Sequence, residues 1–511
     1  MSGWSEGYAS EIEYMPGFYR DQSPAHLDLV CLICGVTPPD RGEDYTYCEL
    51  GCGVGVTTLL LAAANPSARF VGVDFNPAHI ARGRALAQAM GLTNVELIEA
   101  SFADLTGPNA FPLPSFDYVT LHGVYSWVSA DNRQAIVRFL DARLKPGGIG
   151  YLTYNAMPNW IMGLPLQRLL LDVAALQTED RETVMIQSIR FLRAMREAGA
   201  RAFADPELVE RLEKFVEKGN VAYLVHEYLN DHWQPLYHAD VARDMAEAKL
   251  AFVGSATLLE NFPDLCLTPD QRKLLDPIGV APVRETFKDY FLARAFRRDV
   301  FVRGARKLSV PRKEELLRAV RLALAVDRDA VRHTLDVPAG EAKLEERLYG
   351  PVFDALAEGN RTIGELLSLS AAGGSASAVE LAGMLVGSGQ ALTVPARRPD
   401  VASALAFNRV AAAEAARDAK ANAPLAAAAA QSGIHVGLFE LLALRGLLAG
   451  VPAELDPLVA AARQDLAGRG EFLRKDGAPI ESEADTMAIL REEIGKVLTG
   501  ALPRWRHLGV L

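Results

Sequence analysis

The stretch Glu49-Leu50-Gly51-Cys52-Gly53-Val54-Gly55, with the run Phe70-Val71-Gly72-Val73-Asp74 that follows it, decides the fold of this chain. A short apolar run closes on an acid, three glycines alternate, a helix-like segment follows at Thr57–Ala64, and a second apolar run ends in another acid. That is a strand–loop–helix–strand unit whose loop lets backbone approach a ligand and whose second carboxylate is placed for a ribose. A dinucleotide fingerprint reads G-x-G-x-x-G, its third glycine allowing tight helix packing beneath a pyrophosphate. Here the spacing is G-x-G-x-G, and Val56 stands where that third glycine would fall. Glu49 would repel a pyrophosphate, but it suits the ammonium of an amino-acid-like ligand.

Composition sets the outer bounds. At a rough prior of ~150 residues per domain, a chain of 511 residues implies more than one core. Half the residues are hydrophobic and 23% are charged, an ordinary globular balance. The net charge of −11 argues against a nucleic-acid partner, which needs a concentrated basic surface. No apolar run reaches the ~18 residues of a spanning helix, so no membrane insertion is expected. Met1-Ser2-Gly3-Trp4-Ser5-Glu6 has neither a basic nor an apolar signal region, and a cytoplasmic location is expected. Cys31-x2-Cys34 and Cys48-x3-Cys52 loosely mimic zinc spacing. Cys48 lies inside the first strand, however, and Cys52 inside the glycine loop, where thiolates converging on zinc would distort the ligand cradle. Buried free thiols, and no metal, are expected.

Strand and helix signals alternate after an aromatic lead-in at 1–40, a candidate lid. Tyr45–Leu50, Arg69–Asp74, Val95–Glu99, Phe116–His122 and Ile149–Tyr154 read as strands. Thr57–Ala64, Pro77–Met90 and Asp131–Leu144 read as helices, the last stopped by Lys145-Pro146-Gly147-Gly148. This pattern predicts an α/β, doubly wound, Rossmann-like parallel sheet over 41–160, with ligand outside the strands' C-terminal ends. Residues 161–245 read as a helical insertion and a candidate homodimer surface. At 246–305, Leu250–Gly254 and Asp299–Val302 return to strand pattern and can complete the sheet. The segment 306–400 reads helix–helix–strand, like a winged helix. Its would-be recognition helix, Val379–Val386, carries no Lys or Arg, so a protein-facing or structural module is expected. The C-terminal region 401–511 begins with an alanine-rich stretch over 401–430, read as one or two surface helices, and ends in the helix Glu483–Leu498.

The fourth and fifth strand ends run into His122-Gly123-Val124-Tyr125-Ser126-Trp127 and Tyr154-Asn155-Ala156-Met157-Pro158. Aromatic rings there can hold an alkylammonium by cation–π attraction, and an Asn carbonyl can accept from an amine. S-adenosylmethionine (SAM) matches the first two motifs, having an ammonium for Glu49, a ribose diol for Asp74 and no phosphate. Those motifs resemble the class I, seven-strand methyltransferases. With Tyr14, Tyr19, Ser23-Pro24 and His226-Glu227-Tyr228-Leu229-Asn230, the chain resembles the bacterial methyltransferases that carry a methyltransferase regulatory domain. That group includes the rickettsial protein-lysine methyltransferases acting on outer-membrane proteins.

The resemblance implies SAM as cofactor and a protein lysine as acceptor, in an outer-membrane or surface protein. It places Glu49, Gly51 and Gly53 at the methionine part and Asp74 at the ribose, with Cys52 and Phe75 also among the cofactor-binding residues. Ser101 and Phe102 would lie beside adenine, and His122 near the sulfonium. Many class I enzymes have Asp where Ser101 stands, and many have Asn near Thr57 and Thr58. Tyr125, Tyr154, Asn155, Tyr14 and Tyr19 are the candidate catalytic residues. The segment His226 to His238 lacks zinc-motif spacing and reads as helix packing, with Glu227 and Tyr228 as alternative candidates for the substrate rim. No buried acid/base pair is evident, so water is expected to carry off the amine's proton. Two other functions fit the same motifs: a small-molecule O-, N- or C-methyltransferase, and a SAM-binding regulatory scaffold without catalysis.

Overall fold

Thr46–Leu50, Arg69–Asp74 and Phe116–Leu121 are buried along nearly their whole length, as strands must be in a parallel sheet covered by helices on both faces. The computed structural model describes residues 17–40, 42, 44–107, 111–203, 206–370, 377–396, 400–417, 422–475, 478–480 and 482–511. The first part runs α1 (Pro24–Ile33), β1 (Thr46–Leu50), α2 (Val56–Ala64), β2 (Arg69–Asp74), α3 (Pro77–Ala89), β3 (Val95–Glu99), β4 (Phe116–Leu121), α4 (Ala130–Arg143) and β5 (Leu144–Asn155). Five helices follow: α5 (Gly163–Ala174), α6 (Arg181–Glu197), α7 (Pro206–Glu217), α8 (Val221–Tyr228) and α9 (His238–Glu247). Then come β6 (Leu250–Ser255), α10 (Pro263–Cys266), α11 (Pro269–Leu275), α12 (Ala281–Leu292) and β7 (Phe296–Arg303).

Among the described residues the central sheet has seven strands in the order β3-β2-β1-β4-β5-β7-β6. β1 to β5 are parallel, and β7 runs antiparallel to both β5 and β6. The chain order reverses between β1 and β4, so their C-terminal ends flank the crevice where such sheets take ligands. The two strand patterns after the insertion do close this sheet, with Asn155 opposite Phe296 at the ligand end. The sequence did not show the helices α10 to α12 between them.

Local chemistry sets the boundaries. Asn76 caps α3 by accepting from the Ala78 N–H at 2.9 Å, Pro77 follows, and Gly91 in the left-handed region ends it. Lys145-Pro146-Gly147-Gly148 lies within the span of β5. The register against β4 jumps there, from Phe116–Leu144 to Tyr118–Ile149, so the turn signal became an irregularity in one strand.

Beyond β7, the helices Val310–Ala319, Glu346–Glu358, Ile363–Ser370 and Ala378–Gly387 surround a small antiparallel sheet with Arg321–Leu324 at its centre. Ala378–Gly387 is buried, and its Gly383 packs on Phe262 just before α10. The alanine-rich stretch departs from expectation. After the helix Ala402–Arg417 it forms a hairpin of Ala423–Ala427 and Ser432–Val436, buried against α2. A Cβ on Gly433 would sit 2.8 Å from Leu60. Small side chains let the hairpin come this close to the helix, and helix propensity gave way to that packing. Among the described residues no helix is long and apolar enough to cross a membrane.

Candidate active site

β1 delivers Glu49 to the floor of a cavity of about 630 Å³ at the C-terminal edge of the sheet. The following loop turns through Gly51, Gly53 and Gly55 with φ of 70°, 58° and 83°, a conformation that side chains with a Cβ resist. At Gly51 a Cβ would also come within 2.5 Å of Val124 Cγ2. The loop is tied to β2 by N–H groups of Gly51 and Cys52, both donating to the Val73 carbonyl. Asp74 completes the tie. One of its oxygens accepts from the Gly53 N–H at 2.9 Å and the other from the Asn76 N–H at 2.9 Å, with His79 Nδ1 at 3.4 Å.

Glu49 is 5% exposed, and burial pushes its carboxyl up to about 7 despite donors from Thr58 Oγ1 and Gln22 Nε2, the latter at 3.2 Å. Gln22 comes from the short helix Arg20–Gln22, remote in sequence, and nothing near Glu49 advertised it. Thr57 and Thr58 differ from the family's usual residues but have work here: Thr58 holds Glu49, and Thr57 Oγ1 donates to the Gly17 carbonyl at 3.2 Å.

Ser101 and Phe102 line the cavity beyond β3. The N–H and hydroxyl of Ser101 donate to Asp104 at 3.0 and 2.7 Å, and Asp104 lines the same cavity. Asp104 thus brings a carboxylate to the cavity beside Ser101, and the Ser-x-x-Asp spacing was the available signal. His122 sits at the end of β4, stacked on Tyr19 with ring centroids 3.6 Å apart and with Nδ1 3.2 Å from the Tyr151 hydroxyl. Burial, with Arg298 nearby, drives its imidazole down to about 3, so it is neutral at physiological pH. Cys52 and Phe75 complete the expected cofactor-side wall.

The candidate catalytic residues fare differently. Tyr19 lines the cavity, and Tyr14 lies outside the described residues. Tyr125, Tyr154 and Asn155 do not reach it. Tyr125 is fully buried, and its hydroxyl donates to Asp244 of α9 at 3.1 Å. The Tyr154 hydroxyl donates to Asp299 of β7 at 2.5 Å and lies 3.2 Å from His238. Asn155 is locked as strand backbone, its N–H on Ser126 Oγ and its carbonyl on the Leu236 N–H. Antiparallel pairing with β7 makes β5 an interior strand, which buries Tyr154 and Asn155, while α9 covers Tyr125 on the turn after β4.

Tyr154 belongs to a buried ion network. Arg297 pairs with Asp299 at 2.9 Å, Asp289 at 2.7 Å and Glu285 at 3.2 Å, and His238 meets Asp299 at 2.8 Å. Burial would raise Asp299, but Arg297 and His238 outweigh it and hold the carboxyl below the usual range. The network clamps β5, β7, α9 and α12 together.

Part of the cavity lining comes from residues far from the glycine loop in the chain. Trp127, on the turn after β4, lies 6.0 Å from Trp233, which meets Trp160 edge-on at 5.2 Å. α8 and the turn after it contribute His226, Glu227, Asn230 and His232 to the cavity. Glu227 therefore lies at the rim, whereas Tyr228 is buried and packs toward Trp233. Five carboxylates line this space, Glu49, Asp74, Glu99, Asp104 and Glu227, and among the described residues no Lys or Arg does. Such a cavity attracts cations.

Comparisons with known proteins agree with this geometry. Residues 48–149 match a family model described as "Methyltransferase domain", and 220–303 match "Predicted methyltransferase regulatory domain". The second match runs from α8 to β7, so it supplies both the outer strands of the sheet and the cavity-lining residues His226, Glu227, Asn230 and His232. An uncharacterized protein of Synechocystis sp., sll1526, is 34% identical over 99% of both chains. Uncharacterized protein RP028 of Rickettsia prowazekii is 27% identical over 43% of this chain and 86% of its own length. PKMT2 from Rickettsia typhi, solved in complex with AdoHcy, superposes with a TM-score of 0.68 at 18% identity, covering 98% of this chain and 99% of that one. The two share a fold from end to end.

Proposed function

This chain belongs to the SAM-dependent methyltransferases that carry a methyltransferase regulatory domain, and on that premise we propose that it methylates lysine side chains of a protein substrate. The observation that carries the reading is the charge of the cavity: five carboxylates and, among the described residues, no Lys or Arg line it, with Trp127 in the same lining. Both the cofactor and an incoming lysine are cations, and an acidic, partly enclosed site favours each of them.

The residues fit the cofactor. Glu49 is a buried carboxylate suited to the ammonium of the methionine part, and the glycine loop leaves room for backbone approach where a Cβ at Gly51 would collide with Val124. Asp74, already fixed by two backbone N–H groups, keeps lone pairs for a ribose diol. Asp104 beside Phe102 suits an adenine amine. When bound, SAM supplies a methyl group already activated on a sulfonium. What remains for the protein is to align the acceptor nitrogen in line with that methyl and keep the nitrogen neutral at the moment of attack. Trp127 offers a flat apolar face for the alkyl chain, and neutral His122 adds no opposing charge at the mouth.

The test is transfer of labelled methyl groups from SAM to a cell lysate, fractionated into proteins and small molecules. Label is expected on proteins, on lysine after hydrolysis, and absent with Asp74→Ala. Label confined to small molecules would overturn the protein acceptor, and AdoHcy binding with no transfer to any fraction would favour a regulatory scaffold.

A further inference from the structure

We infer that Glu227 is the acceptor-side carboxylate: it binds the incoming amine as its ammonium and takes its proton before methyl transfer. This rests on the reading of the site as an amine methyltransferase and deepens it by giving the deprotonation step to a residue of this chain.

The assignment follows from how the five cavity carboxylates are already used. Glu49 is tied to Gln22 and Thr58 at the end of β1, and Asp74 to two backbone N–H groups at the end of β2. Asp104 is tied to Ser101. Glu99 pairs in register with Asp74 on β3, on the same side of the site, and faces solvent. These four belong to the wall built by the parallel strands and their loops, where the cofactor fits. Glu227 alone comes from α8, which with the turn after it also contributes His226, Asn230 and His232, and so lines the cavity from an element outside the parallel strands and their loops. An amine arriving in line with the sulfonium methyl must come from the side away from the cofactor.

The surroundings of Glu227 suit a group that changes charge. Burial pushes its carboxyl up to about 7, and the Tyr223 hydroxyl, donating to it from the preceding turn, pulls the other way. Tyr223 stacks on Phe215 of α7 with centroids 5.3 Å apart, which fixes that hydroxyl. The other titratable groups near it are Tyr228 on its own helix, Arg211 on α7 engaged with Tyr228, and His226, His232 and His122 in the cavity. No lysine or arginine among the described residues reaches the cavity to neutralise it. A carboxylate near half ionisation at neutral pH can both attract an ammonium and accept a proton from it.

The step balances. The acceptor's ammonium gives one proton to the Glu227 carboxylate, leaving a neutral amine and a carboxylic acid. The amine's lone pair then forms the N–CH3 bond as the S–CH3 bond breaks, its electron pair staying on sulfur. The products are AdoHcy and a methylated ammonium, and the proton on Glu227 passes to water through the open mouth.

The experiment uses the full-length protein saturated with AdoHcy and two small probes, N-acetyl-lysinamide and its uncharged counterpart N-acetyl-norleucinamide, with binding followed by calorimetry or ligand-observed NMR. The wild type should prefer the lysine probe by about tenfold or more, as expected for a charge-assisted hydrogen bond. Glu227→Gln should abolish that preference while AdoHcy affinity and Tm stay near wild type. A wild type that does not distinguish the probes, or a Glu227→Gln variant that keeps the preference, overturns the inference. If the preference tracks Glu227 but lysate proteins are never labelled, the inference stands for a small amine and the protein acceptor fails. In transfer assays at saturating SAM, where the pH dependence of cofactor binding through Glu49 drops out, Glu227→Gln should also lose the Glu227-dependent rise in rate between pH 6 and 8, and Glu227→Asp should recover part of it.

Discussion

Exchanging Glu49 for Gln removes a charge from the floor of the cavity while leaving a side-chain acceptor for Thr58 and Gln22. In the unliganded protein burial holds this carboxyl at about 7. The ammonium of AdoHcy stays charged between pH 6 and 8 and pairs with the ionised form alone. The ionised fraction rises from about one tenth at pH 6 to about nine tenths at pH 8, so AdoHcy affinity should rise about tenfold across that interval. The sign on stability runs the other way. A folded pKa raised above its unfolded value means the unliganded protein loses stability through this group as pH climbs from the ordinary carboxylate range to about 7. Bound ammonium restores what is lost. Glu49→Gln should therefore have a Tm without ligand at pH 8 no lower than wild type, while its AdoHcy affinity falls by about 1.5–3 kcal/mol, the worth of a hydrogen bond to a charged group. Calorimetry at pH 6, 7 and 8, in two buffers of different ionisation enthalpy, reads both the affinity and the proton released near pH 7. Wild-type affinity that is flat across this range, or a Glu49→Gln variant that binds AdoHcy as tightly as wild type at pH 8, would refute the reasoning.

Gly51→Ala meets two obstacles, a left-handed φ of 70° and a Cβ 2.5 Å from Val124 Cγ2. The backbone alone costs about 1–2 kcal/mol, so AdoHcy should no longer raise Tm, and adding Val124→Ala should restore only the steric part. Tyr154→Phe and Tyr125→Phe test the reassignment of these residues to the core. Losing the bond to Asp299 or Asp244 should cost about 1–3 kcal/mol in urea unfolding, with the rate per folded enzyme within about twofold of wild type. Arg297→Met strips the cation from buried Asp299 and Asp289, and a loss of about 3–5 kcal/mol is expected from the urea midpoint.

The sequence was most legible where chemistry is local. The two strand ends carrying Glu49 and Asp74 lie close in the chain, and the glycine conformations between them follow from residue type. The strands at 250 and 299 could be read because apolar pattern persists across an insertion. The Ser101–Asp104 substitution was within reach, since both partners sit in one turn.

What sequence alone determined is the cofactor half of this protein: the sheet, the loop that only glycine can turn, and the two acids at its edge. The tertiary structure decided the acceptor half. Tyr125 and Tyr154 stand at strand ends in the sequence, yet both are buried: α9 covers Tyr125 and takes its hydroxyl on Asp244, and pairing of β5 with β7 sets Tyr154 beside Asp299. Glu227, far down the chain on an otherwise ordinary helix, becomes part of the cavity because the packing of α8 brings it beside the strand ends that carry Glu49 and Asp74. Backbone conformation and strand order depend on neighbours a few residues away, whereas the far wall of a site is set by which distant surfaces bury each other, and no local pattern records that.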